Sequence, residues 1–300
     1  GNPMTTSAIY ALIHKLERDG GVWFAKGGTN QLVAGMVRHL ERLGGSVRLA
    51  DPVAVIATTG DRATIVRTRS GWSDSFDAVA SNADVVRTYD MLGHASAGRS
   101  SARLKRKRFS PSLFVVHFST DGAWPDVPHH SILFGPRYAQ LLKEIYGGSS
   151  LPDEPSIYLH HPTATDPSMA PAGRSTFYAL APVPHLGKAS IDWATQGPLY
   201  ARRLLEILEQ RILLGLSKRL GEVFHFAPTD FEKELNSHLG SAFSLEPRLT
   251  QSAYFRVHNR DDVVRNLYFV GAGTHPGAGI PGVVGSAKAT AGLMIEDLAA

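Results

Sequence analysis

The sequence predicts an α/β protein whose sheet is opened, interrupted by an antiparallel insertion and completed again near residue 300. Three observations predict it. The first ninety residues alternate helical and strand-like patterns, the mark of an α/β sheet. The middle carries separate strand patterns punctuated by Pro162, Pro167, Pro171, Pro182 and Pro184. The last stretch returns to strand, loop and helix. The expected parts are residues 1–100, 101–245 and 246–300, the first and third belonging to one domain and the second forming a substrate part.

Each element has its own pattern. Ile9, Leu12, Ile13 and Leu16 recur at helical spacing within Thr5–Arg18, and Gly20-Gly21 ends that helix. Val22-Trp23-Phe24 reads as a short strand leading to Gly27-Gly28-Thr29. Leu32, Val33, Met36, Val37, Leu40 and Leu43 share one face of a second helix, ended by Gly44-Gly45. Ser46–Leu49 and Val53–Ala57 read as strands, and Thr64–Thr68 pairs with Val53–Ala57 as a hairpin turning near Gly60-Asp61. Phe76–Ser81 is a buried strand, with a helix after Asn82. Leu113–Phe118, Ser156–His160 and Ser175–Leu180 are the strands of the insertion, read as an antiparallel sheet that walls a substrate cavity. Tyr200–Leu216 is a strong helix and Phe231–Leu239 a weaker one.

The most informative stretch is Asn266–Leu298, NLYFVGAGTHPGAGIPGVVGSAKATAGLMIEDL. The apolar run Leu267–Val270 is a strand, and Gly271, Gly273, Gly277, Gly279 and Gly282 leave the following loop bare enough for a flat ligand to approach the backbone. Pro281 suits the first turn of the next helix, where a missing N–H costs nothing. The open amides of that turn and the helix dipole favour phosphate or an electron-rich carbonyl. Gly277–Gly282 fits G-x-G-x-x-G literally. A true dinucleotide fingerprint, however, follows its strand directly and opens a βαβ unit. Here the strand ends near Gly271 and no second strand follows, so the loop reads either as a ligand contact or as a turn that packs a helix on a sheet.

Composition narrows the classes. The chain has 300 residues, is 43% hydrophobic and carries a net charge of +4, which is too mild to argue for nucleic acid. No apolar run approaches the roughly 18 residues that span a bilayer. Gly1–Ser7 carries no signal-peptide pattern. The absence of cysteine excludes disulfides and thiolate chemistry and is compatible with the cytoplasm. The run Arg103–Arg108 reads either as a solvated helix end or as a contact for anionic headgroups, at about 1 kcal/mol per basic residue. Of the 13 histidines, the pairs His129-His130 and His160-His161 stand out. Adjacent strand residues point to opposite faces, so no metal site is expected. His275 either faces a substrate or caps a turn. Arg256–Asp262 reads either as an ion-paired surface turn or as part of a cavity wall. No nucleophile elbow and no P-loop is present.

Against these residues stands a resemblance. GAGTHPGAGIPGVVGSAKAT at Gly271–Thr290 is similar to the C-terminal flavin signature of bacterial-type phytoene desaturases, members of the amine oxidase-like superfamily. The likeness extends through HLGSAFSLEP at His238–Pro247, LTQSAYFRVHNRDD at Leu249–Asp262 and FYALAPVPHLG at Phe177–Gly187. It also takes in LHHPTATDPSMAP at Leu159–Pro171, FGPRY at Phe134–Tyr138, VASNADVV at Val79–Val86 and GVWFAKGGT at Gly21–Thr29.

The resemblance implies FAD as cofactor and an incomplete Rossmann-like FAD-binding domain, the chain corresponding to the C-terminal part of such an enzyme. The N-terminal dinucleotide fingerprint of the family is not in the sequence. The implied site is Gly271, Ala272, Gly273 and Thr274 beneath the ribityl-phosphate, and Ile280, Pro281, Gly282 and Val283 at the isoalloxazine. Val53 opens the strand expected on the adenine side. Many relatives have an acidic residue where Gly273 stands. No catalytic acid or base transfers to this chain.

The implied reaction is desaturation of phytoene, a C40 polyene, by hydride transfer to FAD in carotenoid biosynthesis. The implied place is the cytoplasm, peripheral on the inner face of the cell membrane. The alternatives are a related flavin-dependent carotenoid ketolase, oxygenase or isomerase, and a non-catalytic fragment without cofactor.

Overall fold

The computed structural model of the chain describes residues 2–6, 8, 11–93 and 95–299. In chain order its elements are α1 (Ala11–Gly20), α2 (Thr29–Arg42), β1 (Val53–Thr59), β2 (Arg62–Thr68), β3 (Ser73–Ser75), β4 (Val79–Ser81), α3 (Val85–Met91) and α4 (Ala95–Lys105). There follow β5 (Ser112–Asp121), β6 (His130–Leu133), α5 (Tyr138–Gly147), β7 (Ile157–His160), β8 (Arg174–Val183), α6 (Trp193–Arg211) and β9 (Leu220–Phe226). The last three are α7 (Pro228–Lys233), β10 (Leu267–Phe269) and α8 (Ile280–Ala299).

These elements form two compact units, each assembled from separated stretches. Unit 1 is Gly1–Ala8, Arg48–Ser110 and Glu232–Ala300; unit 2 is Ile9–Val47 and Pro111–Phe231. Both units are discontinuous, and unit 1 ends with residues 232–300. The boundaries expected at 100 and 245 shift, however: residues 9–47 group with the middle of the chain, and 232–245 with its end. Amphipathic helices carry no marker of which sheet they serve, so the sequence could not place α1 and α2.

Unit 2 is built on a five-stranded sheet of order β6-β7-β8-β5-β9, antiparallel throughout. Burial alternates along β5 and β8, so one face is core and the other is open. Phe114, Val116 and Phe118 of β5, Ile157 and Leu159 of β7, and Phe177, Ala179 and Ala181 of β8 form the core face. Helix α6 lays Leu204 and Leu208, both fully buried, into the same cluster. Trp193 stacks on Phe114 at 5.5 Å between ring centres, and Tyr200 meets it edge-on at 5.2 Å. The helix begins earlier than its periodicity suggested because Asp192 caps it, accepting the N–H groups of Ala194 and Thr195.

Unit 1 holds a three-stranded antiparallel sheet, β1-β2-β3, and a parallel pair, β4 and β10. The predicted hairpin is present: Thr59 pairs with Arg62 across the Gly60-Asp61 turn. The parallel pair matches Leu267 with Val79 and Phe269 with Ser81. Asn266 ties the two sheets together. Its Oδ1 accepts Ala63 N–H at 2.7 Å, and its Nδ2 donates to the carbonyls of Ala63 and Asp77 at 2.8 Å each. Val85, Val86, Leu267, Phe269 and Ile56 fill the core beside it.

Three local expectations fail. Val22–Phe24 and Ser46–Leu49 are irregular, having no pairing strand. Helix α7 ends at Lys233 instead of running to Leu239, because Asn236 and Leu239 take positive φ, the latter packed on the unit 1 core. Trp23 is 89% exposed, and neither α1 nor α2 buries a residue among those described.

Candidate functional site: a glycine loop gripped by a buried polar lattice

The loop Val270–Gly279 joins β10 to α8 in unit 1. At Gly271 the backbone takes φ 97°, and a Cβ there would lie 2.1 Å from Asn82 Oδ1. No other residue fits without moving the β4–α3 turn. At Gly273 a Cβ would lie 2.8 Å from Val85 Cγ1 and 3.2 Å from Ser244 Oγ. An acidic side chain, as the resemblance gives for wider relatives, would therefore require Val85 to move.

The carbonyls of the loop are held from behind. Arg256, only 3% exposed, donates through Nε to Thr274 O at 3.0 Å, and through its terminal nitrogens to the carbonyls of Ala272 and Leu245. Asn259 Nδ2 lies within 3.3 Å of Phe269 O, His275 O, Ser286 Oγ and Thr290 Oγ1. Ser286 Oγ accepts Gly271 N–H at 3.0 Å, and Thr290 Oγ1 donates to Phe269 O at 2.9 Å. The segment Arg256–Asp262, read from sequence as either a surface turn or a cavity wall, thus buries Arg256, Asn259 and Asp261, the first two of which shape the loop. His258, Arg260 and Asp262 are exposed as a surface turn would be, Arg260 pairing with Asp297 at 2.7 Å on α8. Asp261 is buried, accepts the hydroxyl of Tyr89 and caps Val263 and Val264. Burial, then that carboxylate, pushes the Tyr89 phenol far above its usual range, so it stays a donor.

The proposed site residues divide. Gly271, Ala272, Gly273, Thr274, Ile280, Pro281, Gly282 and Val283 are brought together in one loop-to-helix stretch. Within it Thr274 is fully buried and its hydroxyl donates to Val257 O, which fixes the loop there. Val283 N–H is the first intrahelical donor, bonded to Gly279 O at 2.8 Å, and Pro281 has no N–H. Val53 stands apart, at the first position of β1 in the other sheet. His275 is exposed, its amide donating to Val257 O and its carbonyl accepting Asn259.

Two features fit a flat, phosphate-bearing cofactor at this loop. Ser244 Oγ is buried with no hydrogen-bond partner among the described residues, beside Gly273. Space around Gly279 is open to 4 Å where a side chain would stand. The run Arg103–Arg108 closes α4: Lys105 pairs with Asp90 at 3.1 Å, while Arg103 and Lys107 line a cavity of about 280 Å³ with Tyr89, Tyr254, Phe255 and Arg260.

In unit 2 the open face of the sheet carries a row of rings. His117 stacks on Phe224 at 4.7 Å with 8° between planes, Tyr178 lies 5.7 Å from His117 and 4.6 Å from His160, and Tyr158 lies 5.8 Å from Tyr178. Partial burial lowers the affinity of His117 for a proton. At His160, burial together with His129, His130 and His161 lowers the pKa to about 4. These imidazoles are neutral at neutral pH, so the face is uncharged as well as flat.

The chain belongs to the flavin containing amine oxidoreductase family, whose model matches residues 2–295. It is an oxidoreductase fold with FAD as its cofactor. It is 61% identical over 301 residues to a lycopene-forming phytoene desaturase of Paracoccus sp., covering 100% of this chain and 60% of that protein. It is 43% identical over 299 residues to a neurosporene-forming phytoene desaturase of Cereibacter sphaeroides, covering 98% of this chain and 58% of the relative. Among solved structures, an oxidoreductase from Methanosarcina mazei superposes with a TM-score of 0.64 at 16% identity, covering 95% of this chain and 58% of that one. That likeness speaks for the fold. The chain spans about 60% of the length of the curated relatives it matches.

Proposed function

We propose that this chain is part of an FAD-dependent phytoene desaturase. The observation that carries the reading is the 61% identity sustained over the whole chain with a lycopene-forming phytoene desaturase. The substrate class is a long polyene hydrocarbon. FAD, when bound, supplies the hydride acceptor of the dehydrogenation. The chain's own residues bind and orient. The backbone of Gly273 and the first turn of α8 at Ile280 and Gly282 meet the cofactor, and Ser244 Oγ offers it a hydrogen bond. The N-terminal dipole of α8 favours negative charge gathered there. Val53 belongs to the adenine side of the same site.

The open face of the unit 2 sheet lies along the polyene. Its rings offer a flat, uncharged surface on which π-electrons face any positive charge that develops on the hydrocarbon. Among the described residues no helix is long and apolar enough to cross a membrane. The substrate is drawn from a bilayer by a peripheral enzyme on the inner face of the cell membrane, with Arg103–Arg108 as the headgroup contact. A carotenoid ketolase, oxygenase or isomerase would use the same cofactor loop.

The test is reconstitution. The chain, alone and joined to the remaining length that its relatives carry, is mixed with FAD and phytoene-loaded liposomes. A shifted flavin spectrum and formation of longer-wavelength polyenes are expected from the joined protein. Flavin binding with oxygenated products instead of desaturated ones would move the reading to a ketolase or oxygenase. No flavin binding by either form would overturn it.

A further inference from the structure

Three histidines of unit 2 meet where the sequence argued they would not. His130 and His160 are directly opposite across β6 and β7, so both point to the open face. His160 and His161 follow the strand rule. His161 turns to the core, 3% exposed, stacked on Phe177 and bonded through Nδ1 to Val127 O. His129 escapes the rule because it precedes β6, on a bend, where alternation no longer binds. Its ring stacks on His130 at 4.3 Å between centres and lies 4.7 Å from that of His160.

The nitrogen atoms converge. One ligand nitrogen from each of His129, His130 and His160 lies within 4.8 Å of the others. His129 Nε2 faces His160 Nε2 at 2.8 Å. In two of the rings the other nitrogen is already held: His129 Nδ1 by Thr165 Oγ1 at 2.5 Å, and His130 Nδ1 by the Tyr158 hydroxyl at 2.6 Å. Hydroxyl partners on Nδ1 orient imidazoles for ligation through Nε2, as outer-sphere partners do in metal sites. His160 Nδ1 is buried without a partner among the described residues.

We propose that His129, His130 and His160 form a site for one divalent first-row transition ion, Zn²⁺ or Cu²⁺. Three imidazoles without a carboxylate select borderline ions over Mg²⁺ or Ca²⁺, which want oxygen. Metal–nitrogen bonds of about 2.0–2.1 Å put tetrahedral ligand nitrogens roughly 3.3 Å apart, so the 2.8 Å pair needs to open by only about half an ångström. His130 is exposed, which leaves a fourth position to water. The site is built from unit 2 residues alone, and the flavin loop belongs to unit 1.

The test uses the untagged 300-residue chain, stripped with chelator and titrated with Co²⁺ while its visible d–d absorption is followed. One Co²⁺ per chain is expected, displaced stoichiometrically by Zn²⁺. His130→Ala and His160→Ala each lose at least 10-fold in affinity, Thr165→Val loses about 10-fold, and His258→Ala binds as the parent does. Circular dichroism checks the fold, and His130→Ala, altering an exposed side chain, keeps the test decisive should His160→Ala unfold. No absorption from the parent chain overturns the proposal. So does unchanged affinity in His130→Ala, which would leave the three rings as a hydrogen-bonded cluster only.

Discussion

The glycine loop of unit 1 is shaped by backbone and held by buried polar side chains, whereas the open sheet face of unit 2 is shaped by side chains and backed by an apolar layer. The loop owes its form to Arg256, Asn259, Ser286 and Thr290, each aimed at a particular carbonyl or amide. The sheet face owes its form to register, with Phe114, Val116 and Leu204 behind it making contacts of no fixed direction. A directional lattice fails when one member is lost. An apolar layer fails in proportion to the volume removed, and the rings on its far side can change almost freely.

Substitutions in the two regions sharpen this contrast. The largest effect is expected from Leu204→Ala, which empties a fully buried site and should lower the stability of unit 2 by about 2–5 kcal/mol. Denaturant unfolding read by hydrogen exchange would assign the loss to unit 2, and protection lost first in unit 1 would break the comparison. Asn259→Ala takes the side-chain donor from His275 O in the loop and should cost unit 1 about 1–3 kcal/mol, with flavin binding weakened in the same variant. Asn259→Leu should not rescue it, since shape without hydrogen bonds is not what the lattice supplies.

Gly271→Ala is expected to act on the loop first. Its Cβ would meet Asn82 Oδ1, so flavin titration should register a larger loss than thermal unfolding does. Asp166 gives a pH handle on unit 2. The Ser168 hydroxyl, then Gly27 N–H, hold its carboxyl below the ordinary 3.8. A folded value below the unfolded one means stabilisation that is present above about pH 4–5 and lost as pH falls through the folded value. Asp166→Asn should therefore flatten the acid limb of the unfolding curve, and an unchanged limb would remove Asp166 from the account. Smallest of all, Phe224→Leu on the open face should shift stability by less than about 1 kcal/mol, although it removes the ring stacked on His117.

Much of this was legible in the sequence, for identifiable reasons. The hairpin over Val53–Thr68 and the strand–loop–helix at Leu267–Ala299 announced themselves through local chemistry: alternation, a glycine turn, proline at a helix start. What stayed hidden depended on partners far away. Arg256 and Asn259 look like surface polar residues, and nothing nearby says that loop carbonyls await them. A signal did exist, since Ser286 and Thr290 are four apart on one face of α8 and pointed at whatever covers that face. The histidine trio was missed because His129 was counted as a strand residue. Helices α1 and α2 were found by period but not by unit, since period says that a face is apolar and not what meets it.

The strand pair β4 and β10 has a consequence for the order of events during synthesis. Ala63 and Asn266 are 203 residues apart in the chain, yet Asn266 is the pin between the two sheets of unit 1. Closing so long a loop is entropically costly and slow compared with local pairing. The strands of unit 2, by contrast, are complete once Phe226 has left the ribosome. The sheet with the aromatic face needs no residue beyond Phe226 to complete its strands, whereas unit 1 needs the glycine-loop segment to close its parallel pair.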